Sequence, residues 1–434
     1  MMETKVKELI EKHIEDKDLT SEEYYIEPGW DWSGADLLGW DLHGLKLSSV
    51  DHQSNFEKSI LSKANLKKAD LAGANLRKSY LKKADLRGAI LMLCQLQQAH
   101  LIQAKLQKTK LSGANLEGAD LERANLEGAD LLKTCFKKAN LKWAILKNAN
   151  LQEACLTEAD CISVDGRDAQ CVGTIFYKTM LQDAKLIKAF LLGANLQHAN
   201  LMNADLHEAM LGRADLKAAY LGEASLEGAN LMNADLRESE FTTGTILREI
   251  NINGCKLENS SIKNAYNNLD KIVIQEKQKK YLEAQDVYRN LKNYFCKEGM
   301  YELSGEYYYR EKLMEKRLLK KKRKWKKWLL NCVLQKIAGY GEKPLNVIGW
   351  WGFVILILAI TYWFFNGVMA SKNLAYNPSF LESLYFSGVT FTTLGFGDLA
   401  PKPGIFQIIA FSEALIGAIL MAMFIFVFAR KMAR

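Results

Sequence analysis

The sequence predicts a two-part chain: a β solenoid of short stacked sides, then a membrane α-helical domain, with a helical linker between them. Three observations carry this. From Phe56 to Ile246 a large apolar residue returns at every fifth position. Residues 347–365 and 405–429 are apolar and, apart from Glu413, uncharged, whereas residues 1–343 are polar. Residues 281–318 show helical spacing and lead into a dense basic run.

The five-residue period is the strongest of these. Of its 39 positions 31 are Leu, four are Phe and one is Ile, leaving Cys161, Gly166 and Cys171. Two residues before each, the position is small, with Ala at 28 of 39 and only Val164 bulky. A period of five fits neither a helix nor a plain strand. It fits a chain that turns a corner every five residues and stacks coil upon coil, with Leu and Ala pointing inward. One inward position must be small because a narrow solenoid has no room for a second large side chain. Asp or Asn commonly stands between the two, as in Ala119-Asp120-Leu121, where its side chain can bond backbone near the corner.

This stretch resembles the pentapeptide-repeat family, whose A(D/N)LXX motif it spells repeatedly. The resemblance implies a right-handed quadrilateral β-helix with about four repeats per coil, a rod of about 45 Å at the spacing of paired strands. An out-of-phase run at Leu37, Leu42 and Leu47 implies an insertion near Ser49–Gln53, and Trp30, Trp32 and Trp40 are placed to seal the first coil. The β-helix is expected over 30–265, after a helical or capping segment at 1–29. Residues 162–175 keep the phase but lose the Leu column, so a loosened or bulging coil is expected there, or a docking site.

Composition excludes several classes. The chain has 434 residues, 58 Lys+Arg against 50 Asp+Glu, a net charge of +8, and only five prolines. It is no Pro/Gly-rich disordered chain. Residues 54–246 carry 25 basic and 22 acidic residues, the wrong sign for a DNA mimic, and nucleic acid is not an expected partner. The eight cysteines show no CxxC pairing, so neither a disulfide framework nor a zinc site is indicated, and buried thiols in a reducing compartment are expected. Residues 1–18 are charged throughout, so no secretory signal is expected. No nucleophile–base arrangement, phosphate-cradling loop or metal cluster stands out, and neither catalysis nor a cofactor is expected.

In the linker, 266–343, Tyr281, Ala284, Val287, Tyr288, Leu291 and Phe295 share one helical face. Gly299 breaks the run, and Leu303, Tyr307, Tyr308, Leu313 and Leu318 resume it, giving a helical hairpin of the tetratricopeptide kind. Arg317–Lys327 holds eight basic residues in eleven positions together with Trp325. Its place before an apolar segment makes it a cytoplasmic flank that contacts anionic lipids.

The spans at 347–365 and 405–429 are long enough to cross a bilayer. Basic residues before the first and after the second put both termini in the cytoplasm and 366–404 outside. Residues 378–391 read as a short helix leading into Thr392-Thr393-Leu394-Gly395-Phe396-Gly397-Asp398. This resembles the selectivity filter of two-transmembrane potassium channels, the TVGYGD signature, and the order span, re-entrant pore helix, filter, span matches that pore-loop family over 347–429. The resemblance implies a homotetramer in the cell membrane whose permeant ion is K⁺. It also implies coordination by the backbone of Thr393, Leu394, Gly395, Phe396 and Gly397, supported by Thr392 and Asp398. Leu394 replaces the usual Val, and Phe396 the usual Tyr. Tyr385 and Phe386 stand where relatives carry aromatic cuff residues on which Phe396 is expected to pack, and Val389 where some carry a carboxylate.

Glu413, ionisable within a span, is expected to contact the filter's surroundings, with pore-helix hydroxyls such as Thr390 or Thr392 as partners; proton sensing or cavity lining is the alternative. Gly417 stands where the family's inner helix bends during opening, or else packs against a neighbouring helix. The solenoid is expected to sense a ligand or partner and signal through the linker. A non-selective cation channel, and a membrane-anchored scaffold whose two spans only tether it, are the competing readings.

Overall fold

The computed structural model describes residues 31–48, 53–270, 272–370 and 375–432. The expected segment 1–29, Trp30 and most of the insertion near Ser49–Gln53 lie outside them. Two compact units divide the chain, one ending at Lys279 and the other beginning at Lys280.

The first unit is the solenoid. Its coils pair as parallel single-residue bridges that join each ladder residue to the one a coil further on, as in Asn115 with Cys135 and Asp120 with Asn140. Each side is held from both directions: Leu121 N–H donates to the Asn140 carbonyl at 2.7 Å, and Asp120 N–H to the Ala99 carbonyl at 2.9 Å. Corners close by a bond back across the turn, Ala119 N–H to the Leu116 carbonyl at 3.0 Å. The second corner residue has positive φ at nearly every turn, for example Lys108 at 57° and Gly128 at 63°, the pattern of a type II turn. The ladder Asp and Asn accept from the amide two residues on, as Asn115 Oδ1 does from Glu117 at 3.0 Å. Leu and Ala form fully buried inward columns, each Leu contributing about 1.5–3 kcal/mol by leaving water.

The first coil is longer than the rest. Asp31, Asp36 and Asp41 pair with Asn55, Ile60 and Asn65, and β1 (Lys46–Ser48) runs parallel to β2 (Asp70–Leu71), so four extra residues lie between these coils. Trp32 takes the inward place on the first side of this coil, with Leu37, Leu42 and Leu47 on the sides that follow, and stacks on Phe56 of the next coil at 5.8 Å; Trp40 is only half-buried.

Two expectations need correction. The column does not end on Ile246. A corner with one extra residue, braced by Thr242 N–H donating to Thr245 Oγ1 at 3.1 Å, shifts the phase. Leu247, Ile252, Leu257 and Ile262 therefore point inward, while Ile246 takes the ladder place opposite Ser225. Residues 162–175 do not bulge: Asp160, Asp165 and Gln170 keep their partners Met180, Lys185 and Phe190. Bulk is exchanged there, Val164 filling a small position beside Gly166 in a large one, and the ladder is undisturbed.

The solenoid continues past 265. Leu247 pairs with Leu269, a 3₁₀ turn spans Ile262–Asn268, and helix α1 (Ile274–Lys277) lies on the last coil. Lys277 Nζ bonds Glu249 and Asp270 at 3.1 Å each, and Gln275 donates to Asn251.

The second unit begins with an antiparallel hairpin, α2 (Tyr281–Lys297) and α3 (Tyr301–Lys321), broken at Gly299, whose φ is 73°. On α2 the expected residues from Ala284 to Phe295 are buried. On α3 the buried face is Ser304, Tyr307, Glu311 and Met314, and the expected Leu303, Tyr308, Leu313 and Leu318 are only half-buried. Glu311 accounts for the shift: its carboxylate accepts from Arg289 Nε at 3.0 Å and Lys292 Nζ at 3.1 Å, which neutralises a buried charge. Helix α4 (Trp325–Ala338) carries the basic run's end. A left-handed Gly339 terminates α4 and leads to α5 (Pro344–Phe364), α6 (Phe380–Phe391) and α7 (Ile405–Met432).

Candidate ion-conduction site

Helices α5 and α7 are long and apolar enough to cross a membrane. Between them, β3 (Val368–Ala370) pairs antiparallel with β4 (Leu399–Pro401), which closes the loop around α6 and the segment after it. Helix α6 starts on a capping box: Ser379 Oγ accepts from Glu382 N–H at 3.2 Å, and the Glu382 carboxylate from Ser379 N–H at 2.7 Å. Tyr376 also donates to Glu382, and this bond, with those from Ser379, holds the Glu382 carboxyl below its usual range.

Helix α6 ends where the filter motif begins. Thr392 N–H donates to the Gly388 carbonyl, Thr393 N–H to Thr390 and Leu394 N–H to Val389, at 3.0–3.1 Å. Thr392 Oγ1 also bonds the Gly388 carbonyl, at 2.8 Å, so the segment is tied to the last turn of the helix. Along it φ is positive at every second residue: 58° at Thr393, 52° at Gly395 and 78° at Gly397. Glycine adopts this region without a Cβ penalty; a β-branched Thr is strained there. Leu394 and Phe396, the alternate residues, are 64% and 68% exposed.

Phe396 therefore does not rest on the expected cuff within one chain. Phe386 is buried and turns to Tyr362 of α5, with ring centroids 5.0 Å apart, while Tyr385 stays exposed.

Glu413 of α7 is fully buried. Its carboxylate accepts from the Tyr362 hydroxyl at 2.9 Å and from the Ser387 hydroxyl. Ser387 also reaches the Ile355 carbonyl at 3.0 Å. One carboxylate thus holds α5, α6 and α7 together through Ser387 and Tyr362, instead of the expected Thr390 or Thr392, and its burial leaves no cavity-lining face within the chain. Four residues on, Gly417 faces the end of α6: a Cβ there would fall on the Phe391 carbonyl. Helix α7 runs unbroken through it, with the end of α6 closely packed on this glycine.

Residues 350–434 match the ion channel family, and eight copies of the pentapeptide repeats match between residues 52 and 242. The chain joins pentapeptide repeats to an ion-channel domain. Among solved structures, HetL, a pentapeptide repeat protein involved in heterocyst differentiation regulation from the cyanobacterium Nostoc sp. strain PCC 7120, is 29% identical over 51% of this chain and 90% of its own, with a TM-score of 0.36. Rfr23, from the cyanobacterium Cyanothece 51142, is 29% identical over 31% of this chain and 89% of its own, with a TM-score of 0.17. QnrB1, a plasmid-mediated fluoroquinolone resistance protein, is 21% identical over 41% of this chain and 85% of its own, with a TM-score of 0.20. No curated protein matches.

The ion-channel domain is gripped by the linker hairpin. Arg430, near the end of α7, lies 4.6 Å over the Tyr308 ring of α3 and 3.3 Å from the Glu342 carboxylate. Lys343 lies 4.8 Å over Tyr309, and Gln335 of α4 bonds both Lys316 and the Tyr309 hydroxyl. The basic residues from Lys320 to Lys327 are exposed, with Trp325 exposed beside Trp328. Sequence reasoning missed Tyr362, Ser387 and the Arg430–Tyr308 contact. The available signal was a polar residue on each neighbouring helix able to meet Glu413.

Proposed function

We propose that the protein is a homotetrameric, potassium-selective channel of the cell membrane, with both termini cytoplasmic. The repeat solenoid is its cytoplasmic module, which senses a ligand or partner or serves as a scaffold. The observation that carries this reading is the alternation of φ sign at Thr393, Gly395 and Gly397, with Leu394 and Phe396 uncovered between them. Such alternation suits a segment whose successive carbonyls face one axis and replace an ion's hydration shell. Four copies around that axis would cover Leu394, Phe396 and Tyr385. Helix α6, ending at this segment, would add the negative end of its dipole.

The basic residues before α5 and those ending α7, Arg430 and Lys431, support cytoplasmic ends. The exposed cations and Trp325 support contact between Arg317–Lys327 and anionic lipids. Helix α6 would be the re-entrant pore helix, since its 12 residues are too few to span.

Flux into liposomes containing the full-length protein tests this under K⁺ and then Na⁺ gradients. K⁺ flux with little Na⁺ flux, lost in Gly395→Ala, is the expected result. Equal flux of both ions would mean a non-selective pore, a reading that the unsupported Phe396 favours. No flux, with or without residues 1–265, would leave a membrane-anchored scaffold.

A further inference from the structure

Four of the eight cysteines meet the expectation of buried thiols. Cys94, Cys161, Cys171 and Cys255 point into the solenoid, and burial pushes the thiols of Cys94, Cys171 and Cys255 up to about 12. Cys135 and Cys155 are placed differently. Each stands in the ladder position just before an inward residue, Phe136 or Leu156, and each is only half-buried at the solenoid surface.

At several other ladder positions amides donate to the carboxylate or amide one coil below. Asn140 Nδ2 donates to Asp120 at 2.9 Å, Asn150 to Asp130 at 3.0 Å and Asn75 to Asn55 at 2.9 Å. Cys135 and Cys155 are direct partners in the parallel ladder, with Asn115 below and Ile175 above. Two successive coils thus give up the amide ladder and set thiol over thiol on the same outer side. Their backbones stand one strand spacing apart, about 4.8 Å.

That spacing selects a chemistry. A metal–thiolate bond is about 2.3 Å long, so two of them in line span about 4.6 Å and bridge adjacent coils without moving them. A disulfide needs Cβ atoms about 3.8 Å apart, and the coils would have to close to make it. Among the described residues no further His, Cys, Asp or Glu completes a cluster, which excludes a four-coordinate zinc site. The Thr157 hydroxyl lies 3.4 Å from Cys155 Sγ and is no competing soft donor. Thiolates favour soft ions, and hard cations prefer oxygen.

We propose that Cys135 and Cys155 form a two-coordinate dithiolate site for a soft monovalent cation of the cuprous class, a metal-binding role of the repeat domain separate from ion conduction. Binding converts two thiols and one Cu⁺ into a bis-thiolate complex and releases two protons, with no change of oxidation state. Burial raises the Cys135 thiol above its ordinary range, so the metal must displace its proton. Affinity should fall as the pH is lowered.

The test is anaerobic titration of the detergent-solubilised full-length protein with Cu(I) against the chromogenic chelator bicinchoninate. One Cu(I) held per chain is expected, lost in both Cys135→Ser and Cys155→Ser, and kept in Cys296→Ser and Cys332→Ser. Serine already occupies this ladder position at Ser225, so folding should persist, as circular dichroism would show. No held copper, or copper held equally by the Cys135 and Cys155 variants, would overturn the proposal. So would a Cys135–Cys155 disulfide in the protein as purified, detected by a peptide mass about two hydrogens lower, since the pair would then be a redox couple.

Discussion

The guanidinium of Arg430 lies 4.6 Å over the ring of Tyr308, joining the end of the second span to the second helix of the linker hairpin. The same cation sits 3.3 Å from Glu342, so three stretches of chain meet at one charge. Gly341 is also there, its ideal Cβ 3.1 Å from the Arg430 guanidinium. A displacement of the hairpin must be felt at the end of α7, because these contacts share a single side chain.

Loosening this contact should alter gating. Tyr308→Leu and Arg430→Gln should each change the open-to-closed ratio about fivefold, the equivalent of about 1 kcal/mol for one cation–π contact. In a double-mutant cycle the combined variant should change it by less than the sum of the two. Single-channel open probability is the readout, and strict additivity would show that the two residues act separately.

Removing the carboxylate of Glu413 should strand a buried hydroxyl. Glu413→Leu leaves Tyr362 without its acceptor, at about 1–3 kcal/mol for the unsatisfied group, while Ser387 keeps the Ile355 carbonyl. Glu413→Gln keeps an acceptor and a donor in place and should unfold much closer to wild type. Thermal unfolding in detergent separates them; equal loss in both variants would mean that charge, not hydrogen bonding, is what holds the three helices.

Gly417→Ala should force α6 and α7 apart, since the new methyl falls on the Phe391 carbonyl. Backbone cannot swing aside as a flexible side chain can, so loss of assembled protein is the expected result. Gly349→Ala, on an exposed face of α5 with nothing within 4 Å, is the control and should be tolerated. Size-exclusion chromatography reports both, and a well-assembled Gly417→Ala protein would show that the packing can open at little cost.

In the solenoid, Gly166→Leu alone should overpack a coil that already holds Val164, with Leu186 Cδ2 3.0 Å from the new Cβ. Destabilisation of about 1–3 kcal/mol is expected. Adding Val164→Ala restores the usual large and small order and should recover most of it. Denaturant unfolding of the two variants decides whether bulk was exchanged between these positions.

Acid should loosen the repeats. Arg167 and Arg237 hydrogen-bond Asp165 and Asp235 and hold both carboxyls below their ordinary range. A depressed carboxyl stabilises the fold above its unfolded pKa of about 3.9 and loses that contribution as pH falls through the folded value. The pairs are partly exposed, so each contributes no more than about 1 kcal/mol. The repeat-domain melting temperature should be level from pH 8 to 5 and fall below about pH 4, less steeply in Asp165→Asn/Asp235→Asn.

Pattern was legible wherever one residue type had to recur for a local reason. Every coil needs Leu inward, a small partner two residues before it, and a corner that accepts positive φ, so the period named the solenoid from Phe56 onward. The filter motif and the two uncharged stretches were legible for the same reason, since each depends on residues adjacent in the chain. The extra residue at Thr242–Thr245 was not, because Ile246 and Leu247 are both large and apolar and only the ladder shows which of them turns inward.

The sequence by itself thus determined that five-residue sides stack into a solenoid and that two spans enclose a channel motif. Only the tertiary structure decided that Glu413 meets Ser387 and Tyr362, that Arg430 lies on Tyr308, and that Cys135 stands over Cys155. The first two pairings depend on how separate helices pack, and the third on coil register. The helix contacts join residues whose meeting no periodicity records, whereas Cys135 and Cys155 lie one coil of four repeats apart and meet because that coil closes in register.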